Sequence, residues 1–249
     1  MNTLTGKVYA ITGGNSGIGL ATAQALVRRG ALVAIFGRDQ ETLVAAERDL
    51  GAAALAVQGD VTQTTDLQRF FQAIRERFTG LDGLFVNAGI ATFAPINAVT
   101  DDYIATMFDI NFTGAIRTIQ QALPLLHTEA SIVLNGSINT VIGMPHSSIY
   151  AASKAALESL ARTLSAELVD RGIRVNAISP GHIVTPIYQR LGMPAADLSA
   201  FATAATERIP MKRFGSADEL ARAVVFLLSP ESSYMLGETL VVDGGRSRL

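Results

Sequence analysis

"VYAITGGNSGIG", residues 8–19, decides how this chain is read. Five residues suited to a buried strand, Val8 to Thr12, run into a glycine-bearing turn and then directly into the helical segment "GLATAQALVRRG". Strand, tight turn and helix start, in that order, gather backbone N–H groups and the positive end of a helix where an anion is stabilised. Gly13, Gly17 and Gly19 let the backbone turn sharply and approach a pyrophosphate, which points to dinucleotide binding. The spacing is G-x-x-x-G-x-G rather than G-x-G-x-x-G, so the flanking strand and helix carry the inference as much as the glycines do. Asn15, inside the loop, is a neutral donor expected to support a phosphate.

Outward from that stretch the chain alternates. Apolar runs recur at 32–36 (LVAIF), 54–57 (ALAV), 84–87 (LFVN), 131–135 (SIVLN), 173–179 (IRVNAIS) and 239–243 (TLVVD). They are apolar throughout, as strands buried on both faces are. Helical stripes lie between them, for example Leu157, Leu160, Ala161, Leu164 and Leu168. The expectation is an α/β chain: a three-layer, doubly wound sandwich around a seven-stranded parallel sheet with right-handed crossovers. With 249 residues and no linker-like tract, residues 1–249 are expected to form a single domain. Ligands in such a sheet bind outside the carboxyl ends of the strands.

The second strand ends at Phe36 and Gly37, with Arg38 and Asp39 following. An acid at that point selects NAD through the ribose hydroxyls, and an arginine accommodates the extra phosphate of NADP. Arg38 is expected to hold the 2′-phosphate, which favours NADP over NAD; the competing reading has Asp39 reach the ribose while Arg38 faces solvent.

Composition excludes several other classes. A net charge of −2 without a Lys/Arg cluster leaves no electrostatic footprint for nucleic acid or an anionic membrane. The absence of cysteine removes disulfides, thiolate catalysis and Cys-ligated zinc. His127, His146 and His182 lack metal-pair spacing and read as surface or loop residues, so no metal is expected. The N-terminus carries no signal-peptide pattern and no apolar run approaches the ~18 residues of a membrane span, so a cytoplasmic location is expected. Hydrophobic residues are 49% of the chain and charged ones 17%, consistent with a large core or with subunit contacts, and a homo-oligomer is expected.

The motifs taken together resemble those of the short-chain dehydrogenase/reductase family over essentially the whole length. They occur in the family's order: "TGGNSGIG" (12–19), "GDVT" (59–62), "NAG" (87–89), Asn111, Ser137, "YAASK" (150–154), "PGHIVTP" (180–186) and "VVDGG" (241–245). One departure is Val86, where the family often has a first asparagine before Asn87. The resemblance implies a Rossmann-type fold and a cofactor bordered by Ser16 and Ile18 of the loop, by Asp60 and Val61 at the adenine, and by Asn87, Ala88 and Gly89. It further implies contacts from Pro180, Gly181, Ile183 and Thr185, the last two at the nicotinamide carboxamide. Tetramers are common in the family, so a tetramer is the favoured oligomer.

The resemblance also names a catalytic set: Asn111, Ser137, Tyr150 and Lys154. Tyr150 would exchange a proton with the substrate, Ser137 would polarise the substrate oxygen, Lys154 would hold the nicotinamide ribose, and Asn111 would hold a water. The cofactor carries the hydride, so no metal is required. If the chain is helical from about Tyr150, Lys154 shares its face. An ammonium about 4 Å away at an effective dielectric of about 20 supplies about 4 kcal/mol, enough to bring a phenol from ~10 to ~7. The phenol is therefore expected to be acidified.

Residues 186–214 are long and apolar and are expected to form a lid. Ile187, Tyr188, Leu191, Met193 and Phe201 would make an apolar wall, with Phe93, Ile138, Asn139, Met144 and His146 as further neighbours. The expected substrate is a secondary alcohol or ketone of apolar or aromatic character, turned over as by NADP-dependent secondary alcohol dehydrogenases of the family. Two alternatives stand beside it: a 3-oxoacyl-thioester reductase using the same four residues, and a non-catalytic nucleotide-sensing protein, which would usually have lost the tyrosine or the lysine.

Overall fold

The computed structural model describes residues 4–186 and 195–249. Nine strands and eight α-helices are named here in chain order. The first half runs β1 (Val8–Thr12), α1 (Gly17–Val27), β2 (Leu32–Gly37), α2 (Gln40–Leu50), β3 (Ala54–Gln58), α3 (Thr64–Arg77) and β4 (Leu81–Val86). The second half continues with α4 (Asp101–Phe108), α5 (Gly114–Ala122), β5 (Leu126–Asn135), α6 (Ser148–Leu168), β6 (Arg174–Pro180), β7 (Ile183–Val184), α7 (Ala195–Glu207), β8 (Gly215–Ser216), α8 (Ala217–Leu228) and β9 (Thr239–Val242).

Seven strands form one sheet in the order β3-β2-β1-β4-β5-β6-β9. Every pairing is parallel, as the uninterrupted apolar runs require. The pleat sends alternate residues to opposite faces. Val8, Ala10, Ala34 and Phe36 join Phe70, Ile119 and Leu157 in the core under α3, α5 and α6. Tyr9, Ile11, Val33 and Ile35 join Leu26, Leu43 and Val224 in the core under α1, α2 and α8. These side chains are essentially inaccessible, and each Val, Leu, Ile or Phe among them contributes about 1.5–3 kcal/mol relative to exposure. β1 pairs with both β2 and β4, so the strand order reverses there, and the crevice beyond its carboxyl end is the expected ligand site.

Three details depart from the sequence reading. β5 begins at Leu126 rather than near Ser131, because its first residues, His127 to Glu129, are exposed and carry no apolar signal. β7 and β8 pair with each other in a separate two-stranded ladder, each too short to leave a periodicity. The segment "YIATMFDINFTGAIRTI" (103–119), which reads as one helix across Asn111, is interrupted by a π-helical turn at Asp109–Thr113, between α4 and α5. No described helix is long and apolar enough to cross a membrane.

Candidate active site

A cleft of about 670 Å³ opens at the carboxyl ends of β1, β2, β4 and β5. At its centre α1 starts from Ser16, an extended N-cap (φ −160°) with no side-chain capping bond and no acid in the following turn. The first N–H groups of α1 are therefore left without a side-chain cap, as a bound anion requires. Gly13 (φ +63°) and Gly17 (φ +53°) hold left-handed backbone there, and a side chain at Gly17 would stand 3.3 Å from Thr185 across the cleft. These features fit a dinucleotide pyrophosphate. Gly19 serves packing instead. It does not line the cleft, and a Cβ on it would strike the Gly13 carbonyl and the Asn87 amide, so it lets α1 sit close to β1 and β4.

The switch point is stitched by side chains. Buried Thr12 accepts from Asn87 N and Ala88 N through Oγ1, both at 3.1 Å, while Asn87 Nδ2 donates to Thr12 O (3.0 Å) and Gly13 O (3.1 Å). Asn135 Nδ2 donates in turn to Asn87 Oδ1 at 3.0 Å. Sequence reasoning passes over Thr12 and Asn135, although Asn135 lines the cleft. Their role is visible only once β1, β4 and β5 lie side by side.

At one end of the cleft stand Arg38, Asp39, Asp60 and Val61. The Arg38 side chain is 60% exposed, with Nη1 3.7 Å from Asp60 Oδ2. Asp39 is the N-cap of α2, accepting from Thr42 N (2.8 Å) and Thr42 Oγ1 (2.6 Å) through Oδ1. That engagement weakens the reading in which Asp39 reaches a ribose. Asn15 lines the cleft, but its Nδ2 donates to Thr42 Oγ1 at 2.7 Å, tying the glycine loop to α2 rather than directing that donor to a phosphate.

The opposite end holds the residues named as catalytic. Ser137 follows β5 and caps a short 3₁₀ turn, accepting from Asn139 N at 3.2 Å. Tyr150 and Lys154 stand in the first two turns of α6, which begins two residues earlier than expected. Lys154 is 4% exposed and donates to the Asn135 carbonyl at 2.7 Å, with Nζ 6.0 Å from the centre of the Tyr150 ring. Phe93 meets that ring edge-on, 5.9 Å between centroids at 87°. Tyr150 lines the cleft and is partly buried there.

The expected acidification of Tyr150 does not occur. Burial pushes the phenol above its ordinary value, and a hydrogen bond from Ser137 pulls it only partly back. The ammonium donates to the Asn135 carbonyl and is not among the causes of the shift, so loss of hydration around a phenolate prevails. The larger consequence falls on the lysine: burial brings Lys154 down from 10.5 to about 8, against an opposing pull from Glu158.

Asn111 lies in the π turn, behind the cleft rather than on it. Its Oδ1 accepts from Ile90 N (2.8 Å), and its Nδ2 donates to Ile90 O (3.0 Å) and Ser153 Oγ (3.0 Å). The side chain thus clamps the segment after β4 to α6, and the expected side-chain hold on a water is not what this geometry offers. π turns recur at functional sites.

Of the expected apolar wall, Phe93, Ile138, Asn139, Met144 and Phe201 line the cleft. His146 does not: it is exposed, in left-handed backbone at φ +67°. Ile187, Tyr188, Leu191 and Met193 lie outside the described residues. His182, read as an ordinary loop residue, instead stacks on Phe214 (5.1 Å, 21°), meets Phe201 edge-on (5.8 Å) and lines the cleft. Burial, with Arg246 nearby, holds its imidazole below the usual value. Its partners come 19 and 32 residues later, beyond any local pattern. Pro180, Gly181, Ile183 and Thr185 line the same end of the cleft, and Ser16, Ile18 and Asn87 to Gly89 its middle.

Comparison with known proteins extends these observations. Residues 13–247 match the family model described as Enoyl-(Acyl carrier protein) reductase. Oxidoreductase asL5 of Sarocladium schorii is 40% identical over 248 residues, spanning 99% of this chain and 98% of its own. The 3beta-hydroxysteroid dehydrogenase 1 of Eggerthella lenta is 37% identical over 251 residues, covering 97% and 94%. The crystal structure of L-sorbose reductase from Gluconobacter frateurii, complexed with NADPH and L-sorbose, superimposes with a TM-score of 0.92 at 31% identity over 100% of both chains.

Proposed function

The chain belongs to the short-chain dehydrogenase/reductase family, and on that premise we propose that it transfers a hydride between NADP(H) and an apolar or aromatic secondary alcohol or ketone. The observation that carries the reading is the meeting of Ser137, Tyr150 and Lys154 at one enclosed end of a cleft whose middle is a glycine loop and an uncapped helix start.

In this reading the nicotinamide supplies the hydride, and the protein supplies position and the proton. The first N–H groups of α1 hold the pyrophosphate, and Arg38 holds the 2′-phosphate. Tyr150 donates its proton to the substrate oxygen as the carbonyl carbon is reduced. Its raised pKa keeps it protonated at neutral pH, the state a donor needs. Ser137, whose hydroxyl already acts on the Tyr150 phenol, orients the substrate oxygen beside it. Lys154, cationic below about pH 8, stabilises the phenolate that remains and holds the nicotinamide ribose. Asn111 acts from behind, fixing α6 against the segment after β4. Phe93, Met144 and Phe201 give the substrate end its apolar character.

NADPH is preferred on two grounds: Arg38 stands at the mouth of the cleft while Asp39 is engaged as a helix cap, and the G. frateurii relative was solved with NADPH. A second reading is reduction of a 3-oxoacyl thioester; the description of the matching family model shares the acyl-thioester substrate class with it but names reduction of a C=C bond, not of a ketone. The test is a panel of aryl ketones, simple alcohols and acyl thioesters, each assayed with NADPH and NADH by absorbance. Reduction of ketones with NADPH is expected. Thioesters turned over in preference to ketones would move the assignment to the second reading, and no cofactor oxidation with any carbonyl would overturn both.

A further inference from the structure

Glu158 has no part in the chemistry above, yet it stands one helical turn beyond Lys154 on the same face of α6. Its Oε1 is buried without a hydrogen-bond partner, a costly state for a carboxylate oxygen unless an opposite charge compensates it. The oxygen is seated against Gly136: a Cβ built there would stand 2.7 Å from Glu158 Oε1 and 3.0 Å from the Ile178 carbonyl. The residue before Gly136 is Asn135, whose carbonyl accepts from Lys154 Nζ, and the residue after it is Ser137. Lys154 and Glu158 therefore bear on consecutive residues of the turn that carries Ser137. We propose that Glu158 is a positioning residue, whose carboxylate fills the space left at Gly136 and keeps the Lys154 ammonium charged and aimed at the Asn135 carbonyl.

The other groups around α6 do not serve this purpose. On α6 itself the other titratable groups are Tyr150, the exposed Arg162 one turn beyond Glu158, and Glu167, and the π turn presents the Asn111 amide, its Asp109 pairing with Arg117 at 2.8 Å. Arg174 of β6 is turned to the carbonyls of Leu227, Ser229 and Ser232. Asp101 and Asp102 of α4 are exposed, as are His127 and Glu129 at the far end of β5. Glu158 is the charge that opposes the loss of the Lys154 proton on burial.

The inference rests on the proposed role of Lys154, but its test needs neither cofactor nor substrate. The chain has three lysines, Lys7, Lys154 and Lys212, so lysine labelled with ¹³C at Cε gives a spectrum simple enough to follow Lys154 through a pH titration. In the native chain its midpoint is expected near 8. In Glu158→Gln, which keeps the shape and removes the charge, the midpoint falls by about one unit. Glu158→Asp retains the charge and restores most of the difference, a rescue that a packing role would not give. A Glu158→Gln midpoint that stays in place or rises overturns the proposal. In ketone reduction the alkaline limb of the pH profile moves down with the midpoint in Glu158→Gln. If the NMR shift appears while the native chain reduces no carbonyl, the functional reading falls and the Lys154–Glu158 coupling stands.

Discussion

The two ends of the cleft are built on opposite electrostatic plans. At the Arg38 end the charge is exposed: the guanidinium side chain is 60% accessible and stands 3.7 Å from a carboxylate that is itself 30% accessible. At the Tyr150 end the charge is enclosed, with Lys154 4% exposed and hydrogen-bonded to a backbone carbonyl. Water screens the first and is excluded from the second, so the same unit charge shifts neighbouring equilibria far more at the buried end. The difference separates recognition from chemistry. In the proposed function the exposed arginine would tune which cofactor binds, whereas the buried ammonium would govern whether a proton moves.

The largest effect that would break this contrast is at the tyrosine. Tyr150→Phe is expected to lower ketone turnover by about 10²–10⁴-fold while NADPH affinity, followed by fluorescence titration, stays within about twofold. Turnover that survives would mean the enclosed end is not the chemical end.

Next in size is Lys154→Met, in which activity falls and stability moves the other way. The folded pKa of about 8 lies below the ordinary 10.5, so the unfolded chain binds the proton first as pH falls from 10.5. Native stability is lost through that window, and the cost is complete below about pH 8. Removing the charge while forfeiting the Asn135 hydrogen bond should stabilise the fold at pH 7 by on the order of 2 kcal/mol. Urea unfolding of both proteins at pH 7 and 9.5 checks the sign: the gain must be smaller at the higher pH.

Arg38→Ala sharpens the other side of the contrast. NADPH affinity is expected to weaken by about tenfold, with NADH nearly unaffected, and the difference should shrink as salt is raised. Equal losses for both cofactors would refute phosphate recognition. Smallest is Phe93→Leu, which removes the edge-on contact to Tyr150, worth about 0.5–1.5 kcal/mol. A loss of no more than about tenfold in kcat/KM is expected, and a profile identical to the native one would show that the contact positions nothing.

Much of the molecule is legible in the sequence, for identifiable reasons. Strands buried on both faces are continuous apolar runs, so all seven sheet strands can be placed, while the exposed opening of β5 and the first residues of β4, where Asp82 and Gly83 break the apolar run, escape. Asp39, an acid three residues before Thr42, carries a helix-start signature that competes with a ribose contact at the same position; the structure uses it as a cap. The π turn leaves no trace, because a slip in hydrogen-bond register has no compositional signal. The His182 cluster, the Asn135–Asn87 link and the seat of Glu158 at Gly136 all join residues remote in sequence.

The sequence by itself determined the order of elements, the site of the glycine loop and the candidacy of Ser137, Tyr150 and Lys154, because these are matters of residue type and spacing along one chain. The sign of the Tyr150 shift was decided only by the tertiary structure. Helical spacing says which groups are neighbours, but their ionisation depends on how much water the surrounding elements remove and on which carbonyl captures the ammonium. Both are properties of the packed molecule, set where β5 and α6 meet.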